Sequence, residues 1–212
     1  MGERLTLWLV TDRAQIEGKD LVAVLDTCLD AGLPAIQVRE KDLGAGELAA
    51  LCRRLVPLTR ARRAVLAVND RVDVALAVGA DAVQRTSTSL AIPDIRAVAG
   101  TRLRIGASVH STEEAADAER AGADWVVFGP VYDTPSKRRY GAPQGLVKLR
   151  ETSRAVRIPV IAIGGISPER VGEVIDAGAR GIAVISAILG AACPADATRE
   201  LLEALESKLR AG

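Results

Sequence analysis

Aromatic side chains are nearly missing from this chain: two tryptophans, two tyrosines and one phenylalanine stand among 212 residues. So few rings leave no row of stacking platforms for the bases of single-stranded nucleic acid. An excess of charge is missing too. Lys and Arg number 28 against 27 Asp and Glu, a formal net charge of +1, which removes the electrostatic reason to expect a nucleic-acid partner. Long hydrophobic runs are absent. The first apolar stretch, 5–10, is broken by Thr11-Asp12-Arg13. That is too short for a signal-peptide core or a membrane span, so no membrane partner and a cytoplasmic location are expected. Cysteine is reduced to Cys28, Cys52 and Cys193, odd in number and widely spaced, with no pair at metal-ligand spacing. These read as reduced packing residues. No Ser/Pro-rich linker or charge block interrupts the chain, so 1–212 is expected to be a single domain; the composition leaves a homo-oligomer open.

What is present is apolar and periodic. Strand-length runs occur at 5–10, 35–38, 64–68, 82–84, 104–109, 125–131, 159–163 and 181–185, eight in all. Between them lie segments such as 20–31 and 112–121, whose apolar residues recur every three to four positions with charges on the other face. Strand and helix in alternation imply parallel pairing. The strands are nearly continuous Val, Ile, Leu and Ala, as expected of a sheet packed on both faces. Gly32, Gly79, Gly122 and Gly178 stand where helices end. The expected fold is α/β, a (β/α)8 TIM barrel. A doubly wound open sheet is the rival, but it places its glycine loop after the first strand, whereas Gly164-Gly165 lies in the seventh unit.

Two of the units end in what reads as a phosphate cradle. IPVIAIGGISPER (158–170) and GIAVISAI (181–188) are apolar strands that stop at small residues and turn into helices. Gly164 and Gly165 lack side chains that would keep backbone N–H groups from an anion, and Ile185 and Ser186 precede the next helix. In a (β/α)8 barrel the loops after the last two strands commonly form such a site.

In a barrel the chemistry belongs to residues at the C-terminal strand ends. Here these are Thr11 and Asp12; Arg39, Glu40 and Lys41; Asn69 and Asp70; Gln84 and Arg85; Ser108 and His110; Gly129 and Tyr132. Lys41 and Lys137 suit an anionic substrate. His110, the only histidine, has the one side chain whose ordinary pKa lies near neutrality, and it is the candidate for proton transfer. Its neighbours Ser111 and Glu114 equally fit a capped helix start. The stretch 132–143, with Thr134, Ser136 and Lys137, reads as a lid over the mouth.

QVREK (37–41), NDRVD (69–73), IGASVHSTEEA (105–115), FGPVYDTPSK (128–137), IAIGGI (161–166) and GIAVISAI (181–188) occur in this order. Together they resemble the thiamine-phosphate synthase and thiazole tautomerase family over nearly the whole chain. The resemblance implies a TIM barrel, a phosphorylated thiazole as ligand and a place in thiamine biosynthesis. In the synthase, which joins an aminopyrimidine pyrophosphate to a thiazole phosphate, two acids hold a magnesium ion on the leaving pyrophosphate. One matches Asp70. The other belongs to a motif close to GVHLGQEDLP, where this chain reads AVQRTSTSLAIP (82–93), with Ser89 in place of the acid, Ser87 in place of the glutamine and Arg85 in place of an apolar residue. Losing one of two carboxylates weakens a Mg²⁺ site. The expectation is therefore a thiazole tautomerase, an isomerase without metal or cofactor. It would use His110 as acid/base, Arg39, Lys41, Asn69, Ser108, Thr134, Ser136 and Lys137 on the substrate, and Gly164, Gly165, Ile185 and Ser186 on its phosphate. The alternative is the synthase, with Mg²⁺ on Asp70. A phosphate-binding barrel without turnover is a third reading.

Overall fold

Each of the eight apolar runs becomes a strand, because continuous β-branched and small residues can be covered on both faces only in a closed parallel sheet. The computed structural model describes residues 6–16, 18–134 and 142–210. The strands are β1 (Leu7–Val10), β2 (Ala35–Val38), β3 (Val65–Asn69), β4 (Ala82–Arg85), β5 (Arg104–Val109), β6 (Trp125–Phe128), β7 (Val160–Ile163) and β8 (Gly181–Val184). They pair in chain order, all parallel, and β8 returns to β1 to close the barrel. The helices are α1 (Leu21–Asp30), α2 (Ala45–Ala61), α3 (Val72–Val78), α4 (Ile92–Ala99), α5 (Thr112–Arg120), α6 (Gly145–Ala155), α7 (Pro168–Asp176), the one-turn α8 (Ser186–Leu189) and α9 (Pro194–Arg210). A 3-10 turn at Arg13–Gln15 follows β1. The TIM-barrel expectation holds. Among the described residues, no helix is long and apolar enough to cross a membrane.

The scarce aromatics are spent on the barrel interior. Trp8 and Trp125 stack with ring centroids 5.2 Å apart. Around them Val10, Ala35, Val65, Ala67, Ala82, Val127, Ile161 and Ala183 complete a buried cluster inside the sheet. Small residues elsewhere make room for the two indoles. A Cβ at Gly106 would lie 2.3 Å from the Trp125 ring and 2.2 Å from Gln84 Oε1.

Strand six is shorter than the 125–131 read from the sequence. It stops at Phe128, ahead of Gly129-Pro130, because proline has no N–H to carry the ladder on. The cysteines divide. Cys28 and Cys52 are buried, and burial pushes the Cys52 thiol up to about 11, but Cys193 is exposed beside the start of α9 and is no packing residue.

Candidate functional site

Strand alternation decides which side chains enter the mouth. Gln37, Asn69, Gln84 and Ser108 lie on the same face of their strands as the Trp8–Trp125 cluster, one level nearer the C-terminal ends. They bond in pairs, Gln37 Nε2 donating to Asn69 Oδ1 at 3.1 Å and Gln84 Nε2 to Ser108 Oγ at 3.0 Å. This polar layer floors the mouth. Gln84, 1% exposed, was named from the sequence as a strand-end residue, whereas Gln37, 6% exposed, was not. The position of Gln37 two residues before Arg39, on the same face of an extended chain, was the signal that could have found it.

The β2 end carries the cations. Thr11 Oγ1 accepts the Arg39 N–H at 2.9 Å, which fixes where the chain leaves the strand. Beside it, Glu40 is buried and accepts the Arg13 N–H at 3.2 Å and its guanidinium at 3.4 Å, while Arg13 also forks onto Asp42. Those two carboxylates, Asp42 first, hold the Arg13 guanidinium above its ordinary range. Arg39 is half-buried and Lys41 exposed, and neither makes an ion pair among the described residues.

At the β3 end Asp70 takes a left-handed backbone, φ +66, a region open to few residues other than Gly, Asn and Asp. Its N–H donates to Gln84 O at 2.9 Å, tying the β3 and β4 ends together. The following loop is closed by Ser89. Its Oγ accepts the Thr86 N–H at 2.8 Å and bonds Thr86 Oγ1 at 3.0 Å. Arg85 falls on the opposite face of β4 from Gln84, with its Nε buried and unpartnered among the described residues.

His110 is exposed at the β5 end. Its Nδ1 lies 2.6 Å from Gly129 O, so that nitrogen carries the proton and Nε2 is left to meet a ligand. The capped-helix reading is present as well: Ser111 Oγ accepts the Glu114 N–H at 3.1 Å, and Glu114 Oε2 accepts the His110 N–H at 2.7 Å.

Across the mouth, Gly164 and Gly165 have φ +105 and +66. Added Cβ atoms would lie 2.7 Å from Pro130 Cβ and 2.8 Å from Tyr132 Cβ. Only glycine meets both demands. The carbonyls of the pair are occupied, Gly164 O by the Tyr132 N–H at 3.0 Å and Gly165 O by Arg170 at 2.6 Å. Among the described residues, the Gly165 and Ser186 N–H groups have no acceptor. Tyr132 backs the loop: its hydroxyl donates to Glu173 and Arg170 lies over its ring at 4.4 Å, and burial first, then Glu173, raises its pKa. Ile185 and Ser186 stand directly after β8, where Ser186 opens α8. Thr134 has a buried Oγ1 without a partner among the described residues; Ser136 and Lys137 lie outside those residues.

A magnesium ion does not fit these donors as a two-carboxylate site. Asp70 is one acid, and the Ser89 hydroxyl that replaces the other is turned into its own loop. No cluster of three or more His, Cys, Asp or Glu able to hold a metal occurs among the described residues.

The model of a family described as thiamine monophosphate synthase matches residues 7–188. A thiamine-phosphate synthase of Pyrococcus abyssi is 42% identical over 207 residues, 98% of each chain. One of Roseiflexus castenholzii is 43% identical over 197 residues, 93% of this chain and 86% of that one. Among solved structures, a thiamine phosphate pyrophosphorylase of Pyrococcus furiosus superposes with a TM-score of 0.91 at 40% identity, covering 98% of both chains. These relatives carry the transferase's name over the full barrel, and they overturn the expectation of a thiazole tautomerase and of an isomerase. The strand-four substitutions that prompted that expectation are local changes at the end of β4 and in the loop after it, set against identity spread along the whole fold. With all eight strands, β1 through β8, inside the matched span, the chain belongs to the thiamine monophosphate synthase family.

Proposed function

We propose that the chain is a thiamine-phosphate synthase, joining an aminopyrimidine pyrophosphate to a thiazole phosphate. The observation that carries this reading is the presence of two anion-binding sides on one mouth. Arg39 and Lys41, without ion pairs among the described residues, stand on the β2 side, and the Gly164-Gly165 and Ile185-Ser186 cradle stands on the β7–β8 side. A reaction between two phosphorylated substrates needs both, whereas rearrangement of one substrate needs a single phosphate site.

In this reading the Gly165 and Ser186 N–H groups hold the thiazole phosphate, with Gly164 and Ile185 shaping the approach. Asn69 and Ser108, oriented by Gln37 and Gln84, meet the pyrimidine's ring nitrogens and amino group. Bond making is a substitution at the methylene carbon of the pyrimidine. The thiazole nitrogen donates its lone pair to form the C–N bond, while the C–O bond to pyrophosphate breaks and its electron pair leaves on oxygen. Negative charge therefore grows on the leaving group, where Arg39 and Lys41 are worth most. Thr134, Ser136 and Lys137 follow β6 in the chain and are assigned hydroxyl and ammonium contacts to the substrates. No proton leaves the carbon skeleton, so His110 acts through Nε2 as a hydrogen-bond partner of substrate rather than as a base. The enzyme works in the cytoplasm on small phosphorylated metabolites, with neither nucleic acid nor membrane, and a homo-oligomer is compatible with this.

Complementation tests the reading. A bacterial strain lacking its own thiamine-phosphate synthase should grow without thiamine when it expresses this chain, and should fail to grow when it expresses Arg39→Ala at the same level. Normal expression with no growth from the wild-type chain contradicts the proposal.

A further inference from the structure

The acids around the β1–β5 ends of the mouth are almost all engaged. Asp12 accepts from Ala14 N–H and Gln15, Asp42 is forked by Arg13, Asp73 by Arg71, and Glu114 holds the His110 N–H. Glu40 keeps Oε1 free of partners, but its side chain is only 3% exposed and pressed against Arg13, closed to an ion arriving from solvent. Among the described residues at the strand ends themselves, Asp70 is left as the accessible carboxylate without a side-chain partner. Even there a cation stands next in the chain. The Arg71 guanidinium is held above its ordinary range chiefly by Asp73, with the Asp70 charge contributing. Against this single acid stand Arg39 and Lys41, neither with an ion pair among the described residues.

Ser89 explains how the loop persists without its acid. Both its N–H, to Thr86 O at 3.1 Å, and its Oγ, to Thr86 N and Oγ1, are used to close the turn 86–89. A hydroxyl so engaged does the structural half of what a carboxylate at this position would do, accepting a backbone N–H, and leaves out the half that would face a metal. One hard-oxygen ligand is a poor hold on Mg²⁺, an ion that keeps most of its waters and is bound through carboxylates plus substrate phosphates.

We propose that the diphosphate pocket of this chain is lined by cations in place of a two-carboxylate metal site: Ser89 closes its own loop, Arg39 and Lys41 carry the neutralisation, and the protein binds no divalent ion before diphosphate arrives. This rests on the synthase reading, and it makes diphosphate binding nearly independent of magnesium.

The test uses Mn²⁺ and inorganic pyrophosphate as probes on the intact chain. By electron paramagnetic resonance, wild type and Asp70→Asn should take up Mn²⁺ equally weakly. Ser89→Asp, which keeps an acceptor for the Thr86 N–H and adds a free oxygen, should bind it on the order of tenfold more tightly. By calorimetry, pyrophosphate should bind wild type in EDTA within about threefold of its affinity in Mg²⁺ buffer, and Arg39→Ala should lower that affinity on the order of tenfold. One Mn²⁺ per wild-type chain, lost in Asp70→Asn, overturns the proposal. So does pyrophosphate binding that appears only with Mg²⁺, or a Ser89→Asp chain that folds and gains no metal. The two readings fail separately. Pyrophosphate bound in EDTA by a chain that forms no thiamine phosphate sinks the synthase and leaves the cation-lined pocket, whereas turnover that requires a protein-bound metal sinks the pocket alone.

Discussion

Arg39 and Lys41 are two residues apart on a loop whose exit is pinned by Thr11, so their charges are placed by backbone geometry, and neither has an ion pair among the described residues. Removing one should act on the step in which pyrophosphate leaves. Arg39→Ala is expected to lower kcat/KM for condensation by about 100-fold, near 2.7 kcal/mol of transition-state stabilisation, with the circular-dichroism spectrum unchanged. His110→Gln should lower it by less than about tenfold, since a hydrogen bond and not a proton transfer is lost. A loss as large as that of Arg39→Ala would make His110 a proton carrier after all. At this scale the sequence was legible where a residue type implies a backbone demand, as with the glycine pair and its left-handed φ. It was misleading where a side chain's partner decides its role. Nothing in the letters RTSTS says that Ser89 bonds Thr86, and the isomerase expectation grew from that one gap. The exposure of Cys193, directly before a helix-opening proline, was equally invisible. Ellman's reagent should find one reactive thiol in the native chain and three after denaturation.

The eight strands and the helices between them were read from periodicity alone, because a covered parallel strand and an amphipathic helix differ in period whatever their partners. Boundaries moved where a backbone group was removed, as at Pro130, or where a turn contributes no apolar residue. The proposed phosphate cradle belongs to this scale, since it would be a property of two strand–loop–helix units and not of any one side chain. Gly165→Ala imposes both a left-handed φ and a 2.8 Å approach to Tyr132 Cβ. The strain, about 1–3 kcal/mol, should displace the N–H proposed to hold phosphate. The KM for thiazole phosphate is expected to rise at least about tenfold, with the affinity for inorganic pyrophosphate unchanged. Equal losses for both ligands would mean that the two anion sides are not separate.

The whole molecule is a barrel plugged by its two tryptophans, and the polar layer of Gln37, Asn69, Gln84 and Ser108 rests on that plug. Gly106→Ala drives a methyl group into both Trp125 and Gln84 and should cost about 1–3 kcal/mol in urea unfolding, with catalysis impaired through the displaced glutamine. The buried thiols set the alkaline limit. Cys28 and Cys52 are both raised by desolvation, Cys52 to about 11, while unfolded thiols titrate near about 8.5. Above that pH the unfolded state loses protons that the folded state keeps, so their contribution is whole below about pH 8.5 and declines as the pH rises through the folded pKa. The Cys52→Ala chain should show a shallower loss of stability between about pH 9 and 11 than wild type.

Everything proposed for this mouth comes down to the joining of two phosphorylated molecules. The most direct measurement is to incubate the purified chain with the aminopyrimidine pyrophosphate and the thiazole phosphate and to follow thiamine phosphate and released pyrophosphate by liquid chromatography and mass spectrometry. The two products should appear in equal amounts, at a rate that Arg39→Ala abolishes nearly completely. Binding of both substrates with no thiamine phosphate formed would contradict it.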